Sequence, residues 1–216
     1  MSVVKVAGSA FAIASAFGSS KTMSAISNAS EAVATLEASH GVVENDILEV
    51  TSGWDLLNGR IVRADSVATN DVTLEDIDTS STTRYPAGSG TGSIREITTW
   101  VSLSQITPEF SVSGGEQNFA DATFISHLIR QRIPTDRNPI EITLPFFFDL
   151  SLAWVATVRA AAAASTPVAF RMVLPNSNVM YANCYWSIRE VPTVTDGTLR
   201  GQIDLSMVGT PTLYTA

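Results

Sequence analysis

Two histidines, one cysteine and a short run of carboxylates are the side chains of this sequence that could do chemistry, and none of them is spaced for it. His40 and His127 lie far apart, whereas two metal ligands on one helix face need a spacing such as H-E-x-x-H. His127 falls in an amphipathic stretch and reads as a polar surface or interface residue. Cys184 sits among aromatic strand positions, where a buried, inert thiol is expected, because a nucleophile needs a neighbouring base to form thiolate. Glu75, Asp76 and Asp78 resemble a cation loop in charge only; a Ca²⁺ loop needs spaced carboxylates, a central glycine and a terminal Glu. Gly18-Ser19-Ser20-Lys21-Thr22 lacks the adjacent Gly-Lys pair and the upstream glycine of a phosphate loop. Gly88, Gly90 and Gly92 precede a strand pattern, not a helix whose N-terminus could hold phosphate. Asn28-Ala29-Ser30 fits the glycosylation triplet, which matters only in a secreted chain. No catalytic, cofactor-binding or metal-binding residue is assigned. A hydrolase using paired carboxylates would need two that converge in a cleft, and no spacing here supports that.

Composition narrows the remaining classes. With 216 residues and 45% apolar content, the chain can bury a sizeable core without staples. A single cysteine allows no internal disulfide framework and fits a reducing compartment such as a cytoplasm. Residues 37–78 hold 10 of the 21 acids and 2 of the 13 bases, so this stretch accounts for the whole net charge of −8. Only Lys5 and Lys21 are lysines. A surface that grips phosphate is therefore not expected, while a negative wall lets nucleic acid pass without holding it. No apolar run reaches the roughly 18–20 residues of a membrane helix, so a protein without membrane contact is expected. Gly8, Ser9 and Ser15 interrupt the apolar start, which favours an extended N-terminal segment over a secretory signal.

The elements that would position any site are mostly strands. Ile140, Ile142, Leu144 and Phe146 alternate with Glu141, Thr143 and Pro145, as Val168, Phe170, Met172 and Leu174 do with Ala169 and Arg171. From Val179 to Val191 the alternation sets Tyr181 and Tyr185 on one face and Ala182, Trp186 and Ile188 on the other. Leu199, Ile203, Leu205 and Met207 give a closing strand after the turn Thr195-Asp196-Gly197. Shorter strands are expected over 47–51, 59–64, 71–74, 94–103 and 107–113. Two segments read as helices. Asp121 opens one that runs to Arg132, with Phe124 and Leu128, and Ile125 and Ile129, four apart on one face. Asp149 or Ser151 caps the other, whose stripe is Leu152, Val155 and Val158 down to the alanines at 160–164. A mainly β (α+β) fold follows.

Several segments recur in a telling order: GSAFAIASAFGSSKTMSAISNASEAVATLEASHG, NDILEVTSGWDLLNGRIVRA and VTLEDIDTSSTTRYPAGSGTGSIREITTWVSLSQI, then SGGEQNF at 113–119 and RQRIPT at 130–135. The helix after Phe148-Asp149, the Leu174-Pro175-Asn176 turn and the ending VGTPTLY complete the series. No one motif is diagnostic. In order and spacing, along nearly the whole chain, they resemble the tail tube proteins, the major tail subunits of long-tailed, siphovirus-like bacteriophages.

That resemblance implies an antiparallel β-sandwich or partial barrel with one or two flanking α-helices. It implies a single tail-tube domain over 1–216, with an N-terminal arm (1–40), a β-meander (41–113) carrying a long loop at 79–93, and helices with closing strands (114–216). The implied role is that of a structural virion protein without cofactor or enzymatic activity, made in the host cytoplasm and built into the virion tail. Hexameric rings would stack into a hollow tube through which genomic DNA is delivered, and ring closure would pair the open sheet edges. The implied partners are further copies of the chain within and between rings, a tape measure protein in the lumen before ejection, and tail terminator and baseplate or distal tail proteins. Double-stranded DNA would pass without sticking. The N-terminal segment and the Thr79–Ser93 loop are the expected contacts between rings. Which acids face the lumen stays open among Glu109, Glu116, Glu141, Asp204 and the 44–78 cluster. The alternatives are another tail ring component, such as a tail terminator or baseplate ring protein, and a generic acidic β-rich binding module that stays monomeric or dimeric.

Overall fold

The computed structural model of the chain describes residues 7–126 and 128–215. Strands take up 51% of it, with one helix among the described residues, and antiparallel sheets form a sandwich-like arrangement. The first body is made by β2 (Lys21–Ile26), β3 (Val33–Leu36), β4 (Ile47–Ser52), β5 (Ile61–Ala68), β6 (Asp71–Leu74) and the first half of β7 (Gly92–Leu103). They neighbour one another in the order β2, β3, β6, β5, β4, β7. The pairs Lys21–Ile94, Thr22–Ser93 and Met23–Gly92 then join β2 back to β7 and close a small barrel. Its interior is filled by Met23, Leu36, Leu48, Val50, Val62, Val72, Leu74 and Ile94 around Trp54. Alternation explains the filling: in β4 and β6 every second side chain points inward.

The second body is an open sheet that starts from the other half of β7. Its order runs through β1 (Ala10–Phe17), β12 (Val168–Val173), β13 (Val179–Ile188), β15 (Thr198–Tyr214), β11 (Glu141–Phe147) and β8 (Ser111–Ser113). The short β14 (Thr193–Thr195) turns back onto β15 over Asp196-Gly197. The expected alternations hold. Ile142, Leu144 and Phe146 of β11, and Ala182, Cys184 and Trp186 of β13, enter one core with Ile203, Leu205 and Met207. The helix α1 (Ala153–Ala164) covers this core with Trp154, Val155, Val158 and Ala161. Each such large side chain is worth about 1.5–3 kcal/mol when fully buried. The helix ends at Ser165, whose left-handed backbone (φ 52°) lets its N–H bond the Ala162 carbonyl. A third, smaller cluster of Ala14, Ile61, Ile97, Ala169, Tyr181 and Tyr214 joins the barrel wall to the open sheet.

Four expectations are corrected. The helix over Asp121–Arg132 does not form. Asp121 ends β9 (Gln117–Asp121) and Arg132 begins β10 (Arg132–Arg137), and the two strands pair as a separate hairpin. The apolar face read from Phe124, Ile125, Leu128 and Ile129 has no core beneath it, and a twelve-residue helix is marginal without tertiary packing. Residues 10–36, expected in an extended arm, form β1, β2 and β3 instead. Small residues mislead there: Phe11 and Ile13 enter the helix-covered core while Ala14 faces the barrel, so β1 lies between the two bodies. The strand expected over 107–113 shrinks to Ser111–Ser113. Neither Asp149 nor Ser151 caps α1. The N-cap is Leu152 without a side-chain bond, and the Asp149 carboxylate instead accepts from the Ser151 N–H (2.9 Å) and hydroxyl (2.7 Å) one turn earlier.

Candidate assembly surfaces

The side chains considered for chemistry are engaged in structure. His40 is buried, its Nδ1 accepting from the Val42 N–H and its Nε2 lying 3.0 Å from the Thr69 carbonyl, so Nε2 carries the proton. His127 lies outside the described residues. Cys184 is fully buried, and burial pushes its thiol up to about 12, which leaves no thiolate to react. Glu75 forms a two-pronged pair with Arg63, while Asp78 binds Ser80, whose side-chain and backbone bonds hold the carboxyl below its ordinary value. Gly18 donates its N–H to the Glu96 carbonyl, and Lys21 lies 3.9 Å from Glu37. Among the described residues no three His, Cys, Asp or Glu side chains stand close enough to hold a metal ion.

The glycine-rich loop, expected to be free for contacts between rings, is tied down. Asn28, the residue of the glycosylation triplet, donates its amide to the carbonyls of Thr79 and Tyr85, both at 2.9 Å. Trp54 Nε1 donates to the Pro86 carbonyl at 2.8 Å, and its ring meets Tyr85 edge-on at 5.2 Å. Gly90 rests on that indole, where a Cβ would come within 2.7 Å of the ring. Thr79 and Tyr85 are buried, so residues 79–90 form a lid on the barrel.

Three surfaces remain for assembly. The first is a strand edge. From Ile97 to Leu103, β7 pairs with β1 on one side, and among the described residues no strand pairs with the other. At the opposite end of the sheet order, β8 covers Glu141–Thr143 of β11 and residues 105–107 cover Pro145–Phe147, so the sheet ends on these short segments. The second is the polar face of the open sheet, away from α1. Glu141, Thr143, Tyr185, Ser187, Asp204 and Ser206 line a shallow groove there. Farther along, Glu109 meets Arg200 at 3.5 Å. The acids of the barrel at Glu44, Asp55, Asp65, Asp71, Asp76 and Asp78 are exposed as well.

The third surface is the β9–β10 hairpin. Gly114 and Gly115 both take positive φ (79° and 81°), and a Cβ on Gly114 would strike the Pro139 carbonyl at 1.9 Å. This glycine pair therefore turns the chain sharply out of β8. Side chains then stiffen the base: Gln117 donates to the carbonyls of Thr135 and Asp136, and Arg137 donates to Gln117. Glu116 sits at that base. Phe119, Phe124, Ile125, Leu128, Ile129 and Ile133 are all more than half exposed. The signal for this element was present in the sequence. Gly114-Gly115 and Asn138-Pro139 bracket it, and Asp121 serves as a turn-maker by accepting from the Thr123 N–H at 2.9 Å, the bond that reads equally well as a helix cap.

Residues 52–216 match the family model described as phage tail tube protein, TTP. No curated protein matches the chain. Among solved structures, the chain is similar to the anti-feeding prophage cap, an AFP tube terminating cap seen by cryo-electron microscopy. The identity is 17% over 49% of this chain and 79% of that one, with a TM-score of 0.34, too loose a superposition to carry weight.

Proposed function

The chain belongs to the phage tail tube protein family, and from that we propose that it assembles, as one domain over 1–216, into hexameric rings that stack into the hollow tail tube. A protein of this family is a structural component of the virion tail, made in the host and not an enzyme; it self-assembles and associates with other tail components. The ring, the tube and their traffic are the proposal. The observation that carries it is the unfinished sheet. The β7 edge left open over Ile97–Leu103 is a hazard in a lone subunit, and the far end of the sheet finishes on the three-residue β8 and a bridge from Ile106 to Phe146. Pairing of such edges between copies removes the hazard and closes a ring around a lumen.

Charge supports the traffic. Six copies at −8 each amount to about −48 per ring, and the share that faces inward repels phosphate, so double-stranded DNA slides toward the host without sticking. Glu141 and Asp204, on the polar face of the open sheet, suit such a wall. Before ejection the lumen would hold a tape measure protein, and the tube would end on a tail terminator at one side and on baseplate or distal tail proteins at the other. Negative-stain electron microscopy of the purified chain at low and high concentration tests the reading. Sixfold rings or tubes with an axial hole are expected. Compact particles at every concentration, even when baseplate proteins are supplied as initiator, would overturn it.

A further inference from the structure

The β9–β10 hairpin holds in water the side chains a fold normally hides. Ile125 and Leu128 are fully exposed, Ile129 is 80% exposed and Ile133 54%. An apolar patch on a protruding element marks an interaction surface. It is also basic: Arg130 and Arg132 flank it, and no acid lies between Asp121 and Asp136. We propose that this tip docks onto a second copy of the chain, at the acidic end of that copy's barrel around Val43. The proposal rests on the self-assembling reading above and names the surfaces that meet.

Charge and shape select the receiving end. Val43 is 60% exposed on a turn that backbone bonds from Asn45 to Ala64 and from Ala64 to Asp46 hold against β5. Glu44 and Asp46 lie on the same turn, Asp65 follows Ala64 where β5 meets it, and Glu96 is near enough to Asp46 to feel its charge. The bases nearest in the strands, Arg63 and Arg95, are taken by Glu75 and Glu49. Glu96 registers the crowding, its carboxyl held above its ordinary value by burial and then by Asp46. An apolar spot beside carboxylates that form no ion pair among the described residues is what an apolar tip flanked by two arginines fits. Within one copy the two do not meet, since Ile125, Leu128 and Val43 are all exposed. The arms β9 and β10, five and six residues long, span about 17–20 Å and carry the tip away from its own sheet toward a neighbour. The tip and the barrel end are different patches, so the contact is head-to-tail and propagates from copy to copy.

A photo-crosslinking residue placed at Leu128 of the full chain tests this directly, with adducts mapped by mass spectrometry. The expected product joins two copies through residues 41–65. Arg130→Glu with Arg132→Glu should raise the concentration needed for assembly at least tenfold, and adding Glu44→Lys with Asp65→Lys should restore it. Ile125→Asp with Leu128→Asp should stop assembly and leave the melting temperature unchanged. Adducts elsewhere on the second copy, adducts only within one chain or only to another tail protein, or normal assembly of the double-Asp variant would each overturn the proposal. Rings that form without the adduct sink the docking and leave the tube. An adduct in dimers that never form sixfold rings sinks the tube and leaves the docking.

Discussion

The lid at 79–90 and the hairpin at 114–139 are both long connections between strands, yet one is folded in and the other stands out. The lid is almost wholly small and polar, Thr-Ser-Ser-Thr-Thr-Arg-Tyr-Pro-Ala-Gly-Ser-Gly, but two side chains of the barrel reach up to it. Asn28 supplies two amide bonds, and Trp54 supplies one bond and a ring face. The hairpin carries far more apolar surface, with Ile125, Leu128 and Ile129 left at least 80% exposed. Whether a loop is free is therefore decided by the partners waiting for its backbone and not by how hydrophilic it is.

The contrast can be broken from the lid side. Trp54→Ala empties the barrel centre and removes the Pro86 bond, and should cost about 3–5 kcal/mol in urea unfolding. Asn28→Ala leaves the carbonyls of Thr79 and Tyr85 unpaired at a cost of about 1–3 kcal/mol. Trypsin reads the same change. In the parent chain cleavage should fall first after Arg130 and Arg132 in the hairpin, and in the variant Arg84 should become an equally early site. Equal protection of Arg84 in both proteins would show that the lid is held by something else. The hairpin tip should sharpen the contrast by doing nothing to a lone subunit. Ile125→Ser with Leu128→Ser should change unfolding by no more than about 0.5 kcal/mol, measured below the assembly concentration.

Acid should have the smallest effect and touch both regions alike. Asp78 at the lid, and Asp121 and Asp136 in the hairpin, are held below their ordinary values by side-chain bonds to Ser80, Thr123 and Thr135, with backbone bonds adding. A carboxyl depressed in the folded state stabilises it above the unfolded value near pH 3.9, and that contribution is lost as pH falls through the lower folded value. Amide exchange at Ser80 and Thr123, normalised to free peptides, should rise below about pH 4 before the barrel opens. No rise at either residue would show that these turns are held by their backbones alone.

Much of the sheet was legible because period-two alternation is written into single strands. Ile142, Leu144 and Phe146 could face inward together only if Glu141, Thr143 and Pro145 faced out. The helix under Trp154 and Val158 was legible for the same kind of reason. Barrel closure was not, because it depends on Lys21–Met23 meeting Gly92–Ile94, a pairing that no local pattern announces. The hairpin was misread because Phe124, Ile125, Leu128 and Ile129 show helical spacing, and spacing alone does not say whether a core exists to receive that face. The proposed assembly surfaces were the least legible, since a contact between copies leaves no local pattern in the sequence.

The sharing of β7 by both bodies carries a consequence in time. Its register joins Phe11 to Leu103 and Ile13 to Val101 in the open sheet, and Val50 to Ile94 in the barrel. These contacts span much of the chain, so their loop closure is costly and the fold should form slowly. On the ribosome the barrel cannot close until Glu96 has emerged, β1 has no β7 partner until Leu103 follows, and the open sheet waits for β15 to end at Tyr214. This one strand thus sets an order of events: its first half completes the barrel early, while its second half holds β1 in wait for strands that are made last.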